Sequence, residues 1–397
     1  MPGEARSYRR LLLDRQFGPF VGAALLSNIG NWFHVVTSVI VVHELTGSAF
    51  MVGLISFANF AAFLVLTPLA GVVTDRTSRR RVLVLAQSGS ALAAAGLAIT
   101  FLIGHGSAVG VLVASLLLGV GSVFSIPATL SVVPELVPPA DHGAGLALNT
   151  ISINVARMVG PVLGAFVLTQ AGAGPAFAVN AASFAVYALV CRRLPIPAAV
   201  ATTTRVDGRY RVALRAVRCN RELRAAFGCV VVVGVLLEPN TTLAPALAEA
   251  VGSSESLVGF VVGAFGAGAL LGAPMAKRPR ILCMPTARAG FAFAAGGTAA
   301  IMLAPHPAAL LAGFGLLGAG YLAAVTALTT QIQVAVPIVL RGRVMALWSQ
   351  LLLGVRPISS VVLGGLTDLA SVRVASAALL VLAVVGWSLA GRPPRAL

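Results

Sequence analysis

Three charged residues interrupt long apolar runs of this sequence, at Arg157, Glu238 and Arg356. If these runs are membrane helices, each charge lies about 20 Å from the basic end of its helix. An unpaired charge at that depth costs at least about 3 kcal/mol, so pairing, water or a ligand is required. Glu238 could exchange protons or bind a cation there, and an arginine could hold an anionic group. The same residues could instead form an ion pair with only a structural role, and the sequence leaves both readings open.

Polar side chains also recur at helical spacing within apolar runs. One set is spaced i, i+4, i+7 and i+11, which places its members on a single helical face: Ser27, Asn31, His34 and Ser38. A similar stripe includes Asn154 and Arg157. Lipid disfavours such stripes, so they should face a cavity or another helix. The candidate substrate-cavity residues are therefore Asn31, His34, Ser38, Asn154, Arg157 and Arg356.

A third candidate lies in the segment 71–81, where a glycine and an aspartate precede a basic run. Its proposed working residues are Gly71, Asp75, Arg76, Arg79 and Arg80. Asp75 could accept hydrogen bonds from a helix N-terminus or an arginine in one conformation and release them in another. The segment is therefore predicted to be a conformational-latch loop, and the alternative is that its arginines only set membrane topology.

The elements that position these residues follow from composition. The chain has 397 residues, of which 58% are hydrophobic and 10% charged, with a mean hydropathy of +0.95. Soluble domains carry about 25% charged residues. Apolar stretches of about 20 residues are long enough to cross a bilayer as helices. They predict an all-α membrane protein with spans at 17–43, 49–73, 82–104, 108–131, 143–170, 175–191, 223–246, 256–276, 286–304, 307–334, 343–368 and 373–391.

The basic residues are distributed asymmetrically along these spans. With alternating spans, 25 of the 28 Lys and Arg residues fall on one side. The positive-inside rule then places both termini in the cytoplasm of a bacterial-type inner membrane. A net charge of +16 could also suggest nucleic-acid binding, but this distribution argues against it. The long basic break predicts a six-helix bundle at 1–191, a cytoplasmic linker at 192–222 and a second six-helix bundle at 223–397.

The chain resembles the major facilitator superfamily. The segment 71–81 matches the loop pattern G-x-x-x-D-R-x-x-R-R of its exporter branch. The resemblance extends to the twelve-helix secretion and efflux subgroup, which includes enterobactin and macrolide exporters. The segments that carry it cover most of residues 10–195, and they are 26–32, 45–48, 126–138, 154–161 and 179–184. Asn31 stands where this subgroup commonly has an acid, so a proton-carrying carboxylate is missing at that position.

The resemblance implies two pseudo-symmetric six-helix bundles and a secondary transporter, not an enzyme. We expect it to export a small amphipathic molecule, such as a natural product, siderophore or drug, by alternating access. Proton coupling through Glu238 is the expected energy source. The expected partners are the substrate, protons and membrane lipid, and a monomer without cofactor or metal is predicted. The alternatives are a membrane-embedded enzyme or maturation factor that reuses the fold, and a transport-inactive sensor or scaffold.

Overall fold

The computed structural model describes residues 8–194, 209–253, 256–272 and 283–391, and these residues contain α- and 3₁₀-helices but no β-strand. The predicted all-α class is confirmed. In chain order the α-helices are α1 (Tyr8–Leu12), α2 (Phe17–Thr46), α3 (Ala49–Arg76), α4 (Arg79–Leu102), α5 (Ala108–Val132), α6 (His142–Ala171), α7 (Ala173–Arg193), α8 (Arg209–Cys219), α9 (Arg221–Val235), α10 (Ala244–Ala250), α11 (Ser256–Gly272), α12 (Cys283–Met302), α13 (Pro307–Ala335), α14 (Ile338–Leu369) and α15 (Val372–Ala390).

Each predicted span overlaps at least one of these helices. Within the described residues, nine helices are long and apolar enough to cross a bilayer, and α9 with α10 form a tenth span if that bent pair is counted. The predicted span over 223–246 coincides with this bent pair, and the 52° bend between α9 and α10 is a feature that the span prediction did not include. The apolar α11 fills the described part, residues 256–272, of the predicted span 256–276.

Several helices begin at polar side chains that satisfy their first amide groups. Ser107 Oγ accepts a hydrogen bond from the Gly110 N–H, and Ser371 Oγ accepts one from the Val374 N–H. Asn220 Oδ1 accepts bonds from the amides of the two residues after Arg221. These caps fix where α5, α15 and α9 start, since the first four amides of a helix lack partners within it.

The chain divides into two compact units. Unit 1 comprises the described residues of Met1–Thr46 and Ala58–Thr204, and unit 2 those of Gly47–Phe57 and Arg205–Leu397. In unit 1, α2 packs on α6 and α7, and α4 packs on α5 and α7. In unit 2, α12 packs on α13 and α15, α11 packs on α13, and α9 packs on α14 and α15. The start of α3 therefore belongs to unit 2, although the rest of this helix belongs to unit 1.

Small residues allow the start of α3 to approach α14 closely. A Cβ atom at Gly53 would lie 2.3 Å from the backbone oxygen of Ser360, and one at Gly364 would lie 2.3 Å from that of Ala49. Ser360 Oγ also donates a 2.9 Å hydrogen bond to the Gly53 carbonyl. Close backbone approach at glycine is a common way to join helices in membranes, where the hydrophobic effect between helices is absent. This crossing brings residues 47–57 against the part of unit 2 that carries the buried charges.

Candidate functional site

The bend between α9 and α10 places a carboxylate inside unit 2. Glu238, Pro239 and Asn240 form a single 3₁₀ turn there. Pro239 has no N–H and its ring disfavours a continuing α-helix, so the regular hydrogen-bond ladder stops at this point. Discontinuous helices often form the substrate and ion sites of secondary transporters. Glu238 is thus held at the broken part of a membrane span, fully buried.

Arg356 of α14 is the charged partner of this carboxylate. Arg356 Nε donates a 2.5 Å hydrogen bond to Glu238 Oε1. The arginine is only 5% exposed and the glutamate 0%, so the pair is shielded from water on both sides. Because removing one partner of a buried ion pair leaves the other charge uncompensated, this contact couples the ionisation of Glu238 to the environment of Arg356.

The hydroxyl group of Thr242 lies beside the second carboxylate oxygen of Glu238 and also contacts Ser56. Thr242 Oγ1 lies 3.4 Å from Glu238 Oε2 and 3.5 Å from Ser56 Oγ, and Ser56 belongs to the α3 segment of unit 2. Nearby in sequence, both amide atoms of the fully buried Asn240 lack a hydrogen-bond partner among the described residues. Sequence reasoning missed Ser56, Asn240 and Thr242. The signal for the last two was the polar run Glu238–Thr242 within an apolar segment, which contains four hydrogen-bonding side chains.

Asp368, near the end of α14, caps the start of α3. Its Oδ1 accepts a 2.8 Å bond from the Ala49 N–H, and its Oδ2 accepts bonds from the Phe50 N–H at 3.0 Å and the Ser48 hydroxyl at 2.6 Å. A carboxylate at this position satisfies free amides and complements the positive end of the helix dipole. Sequence reasoning did not identify Asp368, because its partners are more than 300 residues away.

A polar cavity of about 150 Å³ lies inside unit 1. Gln87 connects two of its walls, since its Oε1 accepts a bond from Ser27 Oγ at 3.3 Å and its Nε2 donates one to Ser125 Oγ at 2.8 Å. Ten of the described lining residues carry uncharged hydrogen-bonding side chains, and they are Ser27, Asn28, Asn31, Gln87, Ser90, Ser122, Ser125, Thr129, Asn149 and Tyr187. This cavity can hold a ligand that both donates and accepts hydrogen bonds.

The predicted cavity residues are distributed over several places. Asn31 lines the unit 1 cavity, whereas His34 and Ser38 do not line it and are fully buried. His34 Nε2 lies 3.2 Å from Ser38 Oγ and 3.3 Å from Ser115 Oγ, and the ring packs 5.4 Å from that of Phe177. His34 and Ser38 therefore join α2 to the neighbouring helices α5 and α7.

The other two cavity candidates in unit 1 lie on α6. Asn154 Nδ2 donates to the Thr150 carbonyl at 2.9 Å, and the Arg157 guanidinium lies over the Trp32 ring at 5.4 Å from its centre. A cation over an indole face is stabilised by the ring quadrupole. The structure thus places Arg157 in unit 1 and pairs Arg356, not Arg157, with Glu238.

The predicted latch loop is only partly described. Arg79 forms an ion pair with Glu135, and Arg80 donates to the backbone carbonyl of Arg192. The surroundings of Gly71 and the side chains of Asp75 and Arg76 lie outside what the structure describes. The two described arginines thereby connect the start of α4 to the 3₁₀ turn after α5 and to the end of α7. They therefore have structural contacts in addition to any topogenic effect.

Comparisons with known proteins agree with this architecture. The family described as transmembrane secretion effector matches residues 13–393. The multidrug efflux pump Tap of Mycolicibacterium fortuitum is 30% identical over 168 residues, which span 41% of this chain and 41% of that pump. The enterobactin exporter EntS of Escherichia coli is 25% identical over 358 residues, 87% of this chain and 84% of EntS.

Solved structures share the fold. The nucleoside transporter NupG, as its D323A mutant, gives a TM-score of 0.77 at 13% identity and covers 96% of this chain and 98% of its own. A bacterial homologue of the iron transporter ferroportin gives a TM-score of 0.75 at 15% identity. The match covers 98% of this chain and 100% of the homologue. The fold is therefore that of these transporters, and the chain belongs to the transmembrane secretion effector family of the major facilitator superfamily.

Proposed function

We propose that this protein is a secondary transporter that exports a small amphipathic organic molecule, such as a natural product, siderophore or drug. Family membership and the likeness to Tap and EntS support export over catalysis. We further propose that it works by alternating access as a monomer in the inner membrane, with both termini in the cytoplasm, and that protons entering the cell drive the substrate out.

The observation that carries the coupling proposal is the buried Glu238–Arg356 pair at the bend between α9 and α10. In this proposal, protonation of Glu238 removes its negative charge and breaks the ion pair. Arg356 then becomes available to an anionic or polar group of the substrate. Loss of the proton restores the pair and displaces that group. Proton and substrate would thus alternate at one site, which is the requirement for exchange transport.

A competing role is that the pair only stabilises the fold. Breaking a buried pair by removal of one partner typically costs about 3–5 kcal/mol, whereas replacing both partners by well-packed hydrophobic residues of similar volume is often neutral or stabilising. The single variant Glu238→Gln and the double variant Glu238→Met/Arg356→Met therefore give different results under the two roles. The glutamine retains the shape of the glutamate and an acceptor oxygen but has no ionisable proton.

The test measures efflux of a panel of dyes and natural products from cells, with and without collapse of the proton gradient, and thermal stability of the same purified variants. We expect Glu238→Gln to lose proton-driven efflux and keep substrate exchange without a gradient, and the double variant also to lose coupling. Recovery of stability and of proton-driven efflux together in the double variant would assign the pair a structural role alone. If the wild-type protein lowers the accumulation of no compound in the panel, the export proposal itself is contradicted, and the maturation-factor and sensor alternatives become the ones to test.

A further inference from the structure

An apolar groove opens on unit 1, and it shares Ser90 with the lining of the polar cavity. It has a volume of about 650 Å³ and lies among the end of α3, residues 82–93 of α4 and residues 117–124 of α5. Its rim includes three leucines that are largely exposed, Leu85 at 72%, Leu92 at 74% and Leu117 at 50%. Among the described residues of its lining, only Thr77 and Ser90 have hydrogen-bonding side chains. On helices that cross a bilayer, an exposed apolar groove of this kind faces the acyl chains of the surrounding lipid.

The groove extends along α4 from Val82 to Ala93. At a rise of 1.5 Å per residue, this distance is about 17 Å. Half of the hydrocarbon thickness of a bilayer is about 15 Å. The groove thus begins near the polar end of α4 and extends for about the depth of one leaflet, which is the length of a single lipid acyl chain.

A cationic side chain lies at the polar end of the groove. Arg81 is exposed and precedes Leu85 and Gly89 at intervals of four residues, so all three share one face of α4. Arg79 and Arg80 already contact Glu135 and the Arg192 carbonyl. Arg81 pairs with no side chain in the part of the chain that the structure describes. Its guanidinium is therefore available to a phosphate at the level of the headgroups.

We propose that this groove binds one anionic phospholipid, with an acyl chain between α4 and α5 and its phosphate on Arg81. The groove supplies apolar contacts to the acyl chain, and Arg81 supplies a positive charge that complements the phosphate. Neither feature depends on the substrate or on proton coupling. In the orientation proposed above, the lipid would come from the cytoplasmic leaflet. The site would thus be occupied by a membrane component and not by the transported molecule.

Two glycines on α4 provide a matched pair of variants. A Cβ atom at Gly89 would meet no atom within 4 Å, so the side chain of Gly89→Leu extends into the groove from an open position. A Cβ atom at Gly96 likewise meets no atom within 4 Å, but Gly96 does not line the groove. Gly96→Leu is therefore the control for a larger side chain on the same helix. For the charge, Arg81→Gln is compared with Arg193→Gln, since Arg193 is also an exposed arginine at a helix end.

The experiment titrates the detergent-purified full-length protein with phosphatidylglycerol or with phosphatidylcholine of the same acyl chains, and counts bound lipids by native mass spectrometry. We expect one retained phosphatidylglycerol, bound about fivefold more weakly in Arg81→Gln and more than about tenfold more weakly in Gly89→Leu. The two control variants should bind it as the wild-type protein does. Equal retention of both lipids, or unchanged phosphatidylglycerol binding in Gly89→Leu, would overturn the proposal. Monodisperse elution of each variant on size exclusion establishes that it is folded.

Discussion

The cap that Asp368 forms on α3 can be tested by the substitution Asp368→Ala. The substitution removes three hydrogen bonds, two of them from the first amides of α3, together with a negative charge at the positive end of this helix. Loss of an N-cap side chain costs about 0.5–2 kcal/mol. Loss of the charge adds about 0.3–1 kcal/mol at an exposed site. Asp368 is exposed, so water replaces part of these contacts, and we expect a total of about 1–2 kcal/mol.

Hydrogen exchange measures this cost where it arises. If the start of α3 opens locally, a loss of about 1–2 kcal/mol increases the population of the open state by about 5- to 30-fold. Peptides covering residues 47–57 should therefore exchange about that much faster in Asp368→Ala. The variant Asp368→Asn should show a smaller increase, because the amide oxygen still accepts a hydrogen bond but lacks the charge.

The control is Ser371→Ala, which removes a cap from the neighbouring helix α15. This variant should accelerate exchange at the start of α15 and leave residues 47–57 unchanged. If Asp368→Ala leaves the protection of residues 47–57 as it is in the wild-type protein, the cap contributes nothing to the attachment of α3, and the reasoning from its geometry is refuted.

Three further predictions concern topology, the latch loop and helix packing. Reporter fusions at residues 200, 280 and 396 should report the cytoplasm and a fusion at residue 250 the outside, and a cytoplasmic signal at 250 would contradict the charge-based topology. Asp75→Asn should insert normally but export more slowly, since the loop hypothesis requires a charge-assisted bond in one conformation; wild-type efflux rates would remove Asp75 from the mechanism. Gly53→Val should lower the thermal stability of the purified protein by overpacking worth about 1–3 kcal/mol, because its Cβ would collide with the Ser360 backbone. Gly22→Val should have no such effect, because a Cβ atom at Gly22 meets no atom within 4 Å. If the Gly53→Val and Gly22→Val variants melt at the same temperature, the close crossing of α3 and α14 is contradicted.

Hydropathy was sufficient to predict the helical class and the approximate spans, because a run of about 20 apolar residues has few other stable states in a bilayer. It was insufficient for the bend at Glu238. The averaged hydropathy of 223–246 remained high, and the effect of Pro239 on the helix ladder is local. The polar run that begins at Glu238 and the proline together were the available signal for a broken helix.

The partners of the charged residues could be identified only from the tertiary structure. Helix periodicity and depth placed Arg157, Glu238 and Arg356 at a similar level, but equal depth does not determine which helices are neighbours. The stripe of Ser27, Asn31, His34 and Ser38 shares a face as predicted, yet this face contacts different surroundings along its length. Asn31 reaches the polar cavity, whereas His34 meets Ser115 of α5, a contact that spacing within α2 alone could not predict.

The division of α3 between the two units has a consequence for biosynthesis. The hydrogen bond between Ser360 and Gly53 joins residues that are 307 positions apart. At a synthesis rate of about 5–20 residues per second, the ribosome completes Gly53 roughly 15–60 s before Ser360 exists. During this interval the start of α3 lacks its native neighbours from α14, and lipid, the insertion machinery or other helices must accommodate it. A fragment that begins at Arg205 would lack residues 47–57, so separate expression of the second half should require co-expression of the first to complete unit 2.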